Sequence, residues 1–193
     1  MRNEALGFAR QFVAKPKKTG ACFPSSPALA RKMLESAAPS DGAVIVEYGP
    51  GTGAFTGLIL SSLRPGQRFF AVETNETFIN QLHLGFPGLG LHHGCASDIG
   101  KFMVLEGVDR VDCVISGLPW AVFPDVLQEN ILEATVAVMP PGGVFVTFAY
   151  AHALFLPAAR RFRKRLLAKF SSFTKSGLVL ANIPPAYVYK CIR

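Results

Sequence analysis

Apolar residues along the chain fall into two kinds of run. Short, nearly unbroken apolar stretches of strand length occupy residues 43–47, 68–73, 111–116 and 144–149, with a weaker one near Leu91. Between them, residues 54–63, 76–84 and 124–137 carry apolar side chains at the three- and four-residue spacing of one helical face. Regular alternation of strand and helix predicts a doubly wound α/β fold, because a parallel sheet must be covered by helices on both faces. The end of the chain breaks this rhythm. Residues 178–183, Pro184-Pro185 and residues 186–192 read as two strands about a tight turn, so the expected sheet has seven strands, mostly parallel, with an antiparallel C-terminal hairpin.

Two helices are expected ahead of this core. Residues 4–15 place apolar side chains at positions 5, 8, 9, 12 and 13, with Arg2, Arg10, Lys15, Lys17 and Lys18 around them, which is a basic amphipathic helix ended by Pro16. Ser26-Pro27 supplies an N-cap and a first-turn proline for a second helix running to about Ala38, and residues 39–42 form a turn. No repeat or low-complexity linker divides the chain. Residues 1–193 are therefore read as one domain, with residues 1–38 holding the N-terminal helices and residues 43–193 the core.

Half of the residues are apolar and 17% are charged, which excludes a disordered chain. The net charge of +7 is unevenly placed: residues 1–34 carry +6, residues 35–133 carry −8, and residues 134–193 carry +9 without a single acid. Basic ends around an acidic middle suggest an anionic partner. Cys22, Cys95, Cys113 and Cys191 are too few and scattered for a disulfide framework or a zinc pair, which points to a reducing cytoplasm. No signal peptide or membrane-spanning stretch is expected, and His83, His92 and His93 lack metal-ligand spacing.

The chemistry concentrates where the first strand ends. Glu47-Tyr48-Gly49-Pro50-Gly51-Thr52-Gly53 sits at a strand-to-helix junction, where glycines permit a sharp turn and close approach of a ligand to main-chain amides. Glu73 closes the next strand twenty residues after Gly53, placed to accept from the hydroxyls of a ribose. The loop lacks the Gly-Lys-Ser/Thr ending of a phosphate loop, and Glu47 at its entrance repels a pyrophosphate but suits a cation. After the fourth strand, Ser116-Gly117-Leu118-Pro119-Trp120 marks a second rim segment. There Trp120 either offers a face to a planar or cationic group or packs in the core.

The Glu47-x-Gly49-x-Gly51-x-Gly53 loop resembles the first motif of class I S-adenosylmethionine-dependent methyltransferases, which have a Rossmann-like fold. Glu73 matches their second acidic position and Asp98 their third, the latter otherwise a helix cap. The resemblance implies S-adenosylmethionine as methyl donor and S-adenosylhomocysteine as product. It implies a donor site of Glu47, Tyr48, Gly49, Gly51, Gly53, Glu73, Asp98 and Ser116, with Tyr48 alternatively a core residue. Ribosomal RNA adenine N6-methyltransferases share the glycine loop and a Leu-Pro-aromatic motif, but Gly117 stands where they carry a polar acceptor side chain.

The whole set of segments is more similar to bacterial phospholipid N-methyltransferases: residues 24–30, residues 47–56, residues 116–120, and Asn182-Ile183-Pro184-Pro185-Ala186. That similarity implies stepwise N-methylation of phosphatidylethanolamine to phosphatidylcholine at an anionic membrane, on the inner face of the cell membrane. An ornithine lipid fits equally well as acceptor. A non-catalytic nucleoside-binding membrane module is a further reading, and nucleic acid is the less favoured partner. Leu118, Pro119, Trp120, Tyr150 and His152 are the acceptor-side residues under this reading, although Tyr150 and His152 equally fit a packing residue and a solvated loop residue. Arg160, Arg161, Arg163, Lys164, Arg165 and Lys169, beside an apolar stripe of Ala159, Phe162, Leu166 and Phe170, are expected to lie in the headgroup layer. The oligomeric state is not readable from the sequence.

Overall fold

The structure, a computed structural model, describes residues 25–193. The basic helix expected over residues 4–15 lies outside the described residues. The first element, α1 (Pro27–Ala37), starts as its sequence predicts: the Ser26 hydroxyl accepts from the Leu29 amide at 3.2 Å and Pro27 occupies the first turn. Leu29, Ala30, Met33 and Ala37 recur at helical spacing and are all buried.

The strands are β1 (Val44–Tyr48), β2 (Arg68–Glu73), β3 (Gly90–His93), β4 (Cys113–Ser116), β5 (Val144–Tyr150), β6 (Ser172–Lys175) and β7 (Ala186–Ile192). They form a seven-stranded sheet in the order β3-β2-β1-β4-β5-β7-β6. β7 runs antiparallel to both of its neighbours, and the other pairings are parallel. The helices α2 (Thr56–Ser62), α3 (Glu76–Gly85), α4 (Ile99–Glu106), α5 (Asp125–Val138) and α6 (Pro157–Lys169) make the crossovers.

Alternation along β1 shows why the sheet is covered twice. Val44, Val46 and Tyr48 join a cluster with Ile99 of α4, Ile131 of α5 and Phe162 of α6. Ile45 points the other way, to Leu29 and Met33 of α1 and Ile59 of α2. A strand apolar on both faces is the signature of a doubly covered sheet, as expected.

The hairpin is present, but its first strand is Ser172–Lys175 and not residues 178–183. Residues 178–183 form only an isolated bridge at Val179. The Val188 carbonyl instead accepts from the Ser176 amide and the Val188 amide donates to the Ser176 hydroxyl, so the β-like apolar segment is displaced from the ladder into a loop. Among the described residues no helix is long and apolar enough to cross a membrane.

Strand order reverses between β1 and β4, and the carboxyl ends of strands at such a switch point are where sheets of this kind bind ligands. The main chain itself stitches this edge together. The Gly49 amide donates to the Val72 carbonyl (2.9 Å), the Gly117 amide to the Tyr48 carbonyl (2.8 Å), and the Gly94 amide to the Glu73 carbonyl (2.9 Å).

Candidate active site

The glycine loop leaves β1 with Gly49 at φ 68° and Gly53 at φ 84°, conformations that side chains other than glycine resist. Space adds a second requirement. A Cβ on Gly49 would lie 2.8 Å from Leu118 Cδ2, and one on Gly53 would lie 2.6 Å from the Phe86 ring. Gly51 differs, since no protein atom lies within 4 Å of the position its Cβ would take. The loop is open at that point.

Two buried carboxylates flank it. Glu47 is fully buried at the end of β1; its Oε2 accepts from the Thr56 hydroxyl at 2.7 Å, and its Oε1 has no hydrogen-bond partner. Burial pushes the Glu47 carboxyl up from 4.5 to about 8, against the pull of the Thr56 hydrogen bond, and the neighbouring Glu73 charge adds to the rise. Glu73 Oε1 accepts from the Thr74 (2.7 Å) and Asn75 (2.9 Å) amides, while its Oε2 accepts from Gly51 (3.0 Å). Each carboxylate oxygen has two lone pairs, so Oε2 retains capacity for another donor. Neither acid is ion-paired to a described residue. A buried acid with an orphaned oxygen beside an open glycine loop fits a ligand that carries a positive charge.

Asp98 lies at the same edge, after the Gly94 turn. It makes no side-chain capping bond to α4, and its Oδ1 takes the Lys101 ammonium at 3.0 Å. Tyr48 resolves to the core: it is fully buried and its hydroxyl accepts from Thr135 at 3.3 Å, so it lines no donor pocket.

Ser116 and Trp120 also differ from expectation, and for one shared reason. Ser116 Oγ accepts from the Trp120 indole N–H at 3.0 Å, so the Ser116 side chain positions Trp120 instead of facing the donor. Trp120 is buried, stacked on Phe162 with centroids 4.4 Å apart and 12° between planes, and edge-on to Phe123 and Phe145. No ring face remains for an acceptor. Leu118 and Pro119 stay partly exposed at the rim, Leu118 lying over Gly49.

Tyr150 ends β5 at that rim, half-buried, with burial raising its phenol above the usual value. Its ring stacks on exposed His152 at 5.7 Å and meets Phe148 edge-on at 5.3 Å. The sheet thus brings Tyr150 and His152 to the edge that carries the glycine loop.

Two residues had no role in the sequence reading. Thr56 holds Glu47, and fully buried Gln128 donates to the Trp120 (2.7 Å) and Phe123 (3.2 Å) carbonyls, bracing the rim segment. Thr56 sits in the first turn after the loop, a position that could have suggested its contact. Gln128 is one polar residue within a helix and carried no signal. His92 bonds Glu106 at 2.7 Å and stacks on Phe102, a structural role, and no metal-binding cluster occurs among the described residues.

The headgroup-layer expectation for α6 is corrected here. Phe162, Leu166 and Phe170 are core residues, while Arg161, Arg165 and Lys169 pair with Asp125, Glu129 and Glu133 on α5. Facing acids at four-residue spacing neutralise half of the basic run.

The strand order, the glycine loop after β1, the acid that ends β2 and the acid after β3 define a class I methyltransferase fold. Among named proteins, the sequence is 28% identical over 171 residues to an ornithine lipid N-methyltransferase of Singulisphaera acidiphila, covering 87% of this chain and 85% of that protein. No protein-family profile matches the chain. Similar solved structures include an O-methyltransferase from Bacillus cereus in complex with S-adenosylhomocysteine, with a TM-score of 0.68 at 14% identity over 98% of this chain and 91% of that one. TrmN from Thermus thermophilus has a TM-score of 0.65 at 19% identity over 86% of this chain, which spans 48% of TrmN.

Proposed function

We propose that the protein is an S-adenosylmethionine-dependent N-methyltransferase acting on the amine of a membrane lipid. The observation that carries the donor assignment is the orphaned, buried Glu47 Oε1 beneath the open glycine loop. A sulfonium and an ammonium are the charges that such a site accommodates, and this reading gives Glu73 Oε2 and Asp98 to the nucleoside as acceptors. Glu47, Gly49, Gly51, Gly53, Glu73 and Asp98 hold the donor, which supplies an electrophilic methyl group when bound.

The acceptor assignment rests on the motif set and on the ornithine lipid enzyme of similar sequence. The attacking nitrogen must be neutral, so the rim has to desolvate the amine and take its proton. Half-buried Tyr150 helps to desolvate the amine, and the His152 imidazole is the group the rim offers to take its proton. Leu118 and Pro119 bound the approach to the glycine loop. Phosphatidylethanolamine and ornithine lipid both present a primary alkyl amine, and on this reading the enzyme works at the inner face of the cell membrane, taking the lipid from the bilayer and the donor from the aqueous side.

The test is incubation with labelled methyl donor and separate vesicles of phosphatidylethanolamine or ornithine lipid, with ribosomal RNA as a further arm. Label in a lipid amine supports the reading and identifies the headgroup. Label only in RNA overturns it, and donor binding without transfer to any acceptor indicates a non-catalytic module.

A further inference from the structure

We infer that the protein docks on an anionic bilayer through the loop of residues 176–185 and the turn before α6, with Phe155, Leu156, Leu180 and Ile183 entering the interfacial layer. The inference rests on the lipid-acceptor reading for its purpose, but the observations behind it are independent.

The loop has inverted polarity. Asn182 is buried, its Oδ1 accepting from the Ser26 amide at 2.9 Å and its Nδ2 donating to the Pro184 carbonyl at 2.7 Å. The apolar residues around it point outward, with Leu180 72% and Ile183 76% exposed. A soluble surface loop normally has the opposite arrangement. On the adjoining turn Phe155 is 76% and Leu156 44% exposed. The two segments meet where Tyr150 pairs with Ala186 and the Ala151 amide donates to the Pro185 carbonyl at 2.8 Å. This junction lies at the carboxyl end of β5, the edge that holds the glycine loop, so a lipid amine can reach the site while its chains stay in the bilayer.

Charge identifies the partner. Leu156 before α6 and Arg160, Lys164 and Leu167 on the face of α6 turned away from the core follow one another at helical spacing, all exposed, with Arg160 and Lys164 unpaired among the described residues. No acid occurs in residues 134–193. A second copy pairing through this same face would therefore meet like charge with like charge. Aliphatic side chains among cations favour an anionic lipid surface over RNA, which takes stacking and polar contacts.

The experiment uses tryptophans placed one at a time in the full chain, Phe155→Trp and Ile183→Trp, with Leu84→Trp as control. Leu84 is 86% exposed on α3 and belongs to neither segment of the proposed docking face. Native Trp120 is buried and serves as an internal reference in each variant. With vesicles containing phosphatidylglycerol and brominated acyl chains, emission from positions 155 and 183 is expected to shift blue and fall about twofold, while position 84 stays unchanged. A paired Phe155→Ser and Ile183→Ser variant is expected to bind vesicles at least about tenfold more weakly.

Absence of quenching at 155 and 183, or equal quenching at 84, overturns the inference. So does a blue shift that follows protein concentration without vesicles, which would mean self-association, or one produced by RNA and not by vesicles. Quenching requires no methyl transfer. A protein that is quenched but labels no lipid would remove the acceptor assignment and leave the docking face in place.

Discussion

Gly117 faces the carbonyl oxygen of Gly49 so closely that a Cβ built on Gly117 would lie 2.7 Å from it. The glycine that heads the Leu-Pro-Trp segment is therefore a packing requirement of the donor loop. Gly117→Asn is expected to displace residues 49–51 and to weaken binding of S-adenosylmethionine by calorimetry as well as lipid turnover. A variant with unchanged donor affinity and impaired turnover would place the effect in the acceptor pocket.

Gly51→Val tests the open face of the same loop. Its side chain meets no protein atom at Cβ but forces a β-branched residue into φ 55°, and it occupies the ligand's approach. Donor binding is expected to be lost while a cooperative melt survives. Retained affinity would remove Gly51 from the site.

Glu47 gives donor binding a pH dependence of known sign. Its carboxyl titrates at 4.5 in an unperturbed state and at about 8 in the folded protein, so the folded protein binds the additional proton between those values. This group's contribution to stability accordingly falls as pH rises through that window. A cation beside Glu47 favours the ionised form, so donor affinity is expected to rise over the same window, by up to about tenfold per pH unit, with proton release. Calorimetry in buffers of different ionisation heat measures both. Glu47→Gln is expected to bind weakly and without pH dependence, and a pH-independent wild type would contradict the assignment.

Ser116→Ala separates positioning from donor contact. It leaves the Trp120 N–H unpaired in the core, a loss of about 1–3 kcal/mol measured by urea unfolding. Donor affinity of the folded variant is expected to equal that of the wild type. Lost affinity at undiminished stability would return Ser116 to the donor site.

The α5–α6 ladder predicts sensitivity to acid. Hydrogen bonds from Arg161 to Asp125 and from Lys169 to Glu129 hold both carboxyls below their usual values. Stability from these pairs is present above the ordinary carboxylate range and is lost as pH falls through the depressed values. Arg165→Met is expected to lower the urea midpoint near neutral pH and to make little difference in strong acid. Because these pairs are partly exposed, the effect is modest and diminishes with salt.

The legible parts of the fold were those where burial writes itself into composition. Residues 44–48 are buried to the last side chain, and the apolar run reveals them. β6 was illegible because Ser172, Thr174 and Lys175 are exposed, leaving no period to read. Residues 178–183 looked like a strand because Leu178, Leu180 and Ile183 are apolar, yet those side chains face outward. α4 has no distinct helical apolar face to read for a related reason: Val104 and Leu105 are exposed and Gly100 interrupts its pattern. The donor motif was legible because backbone geometry forces its glycines. What α6 packs against was not, since an apolar stripe beside basic residues has the same sequence whether it meets lipid or Trp120.

The amide-to-carbonyl contacts that join Gly49 to Val72, Gly117 to Tyr48 and Gly94 to Glu73 involve no side chain. Their strength depends on the course of the backbone and not on which side chains the neighbouring strands carry. The carboxyl edge is therefore tied by the main chain at Gly49, Gly117 and Gly94, while the side chains of residues 150–156 and 178–185 lie outside these three ties.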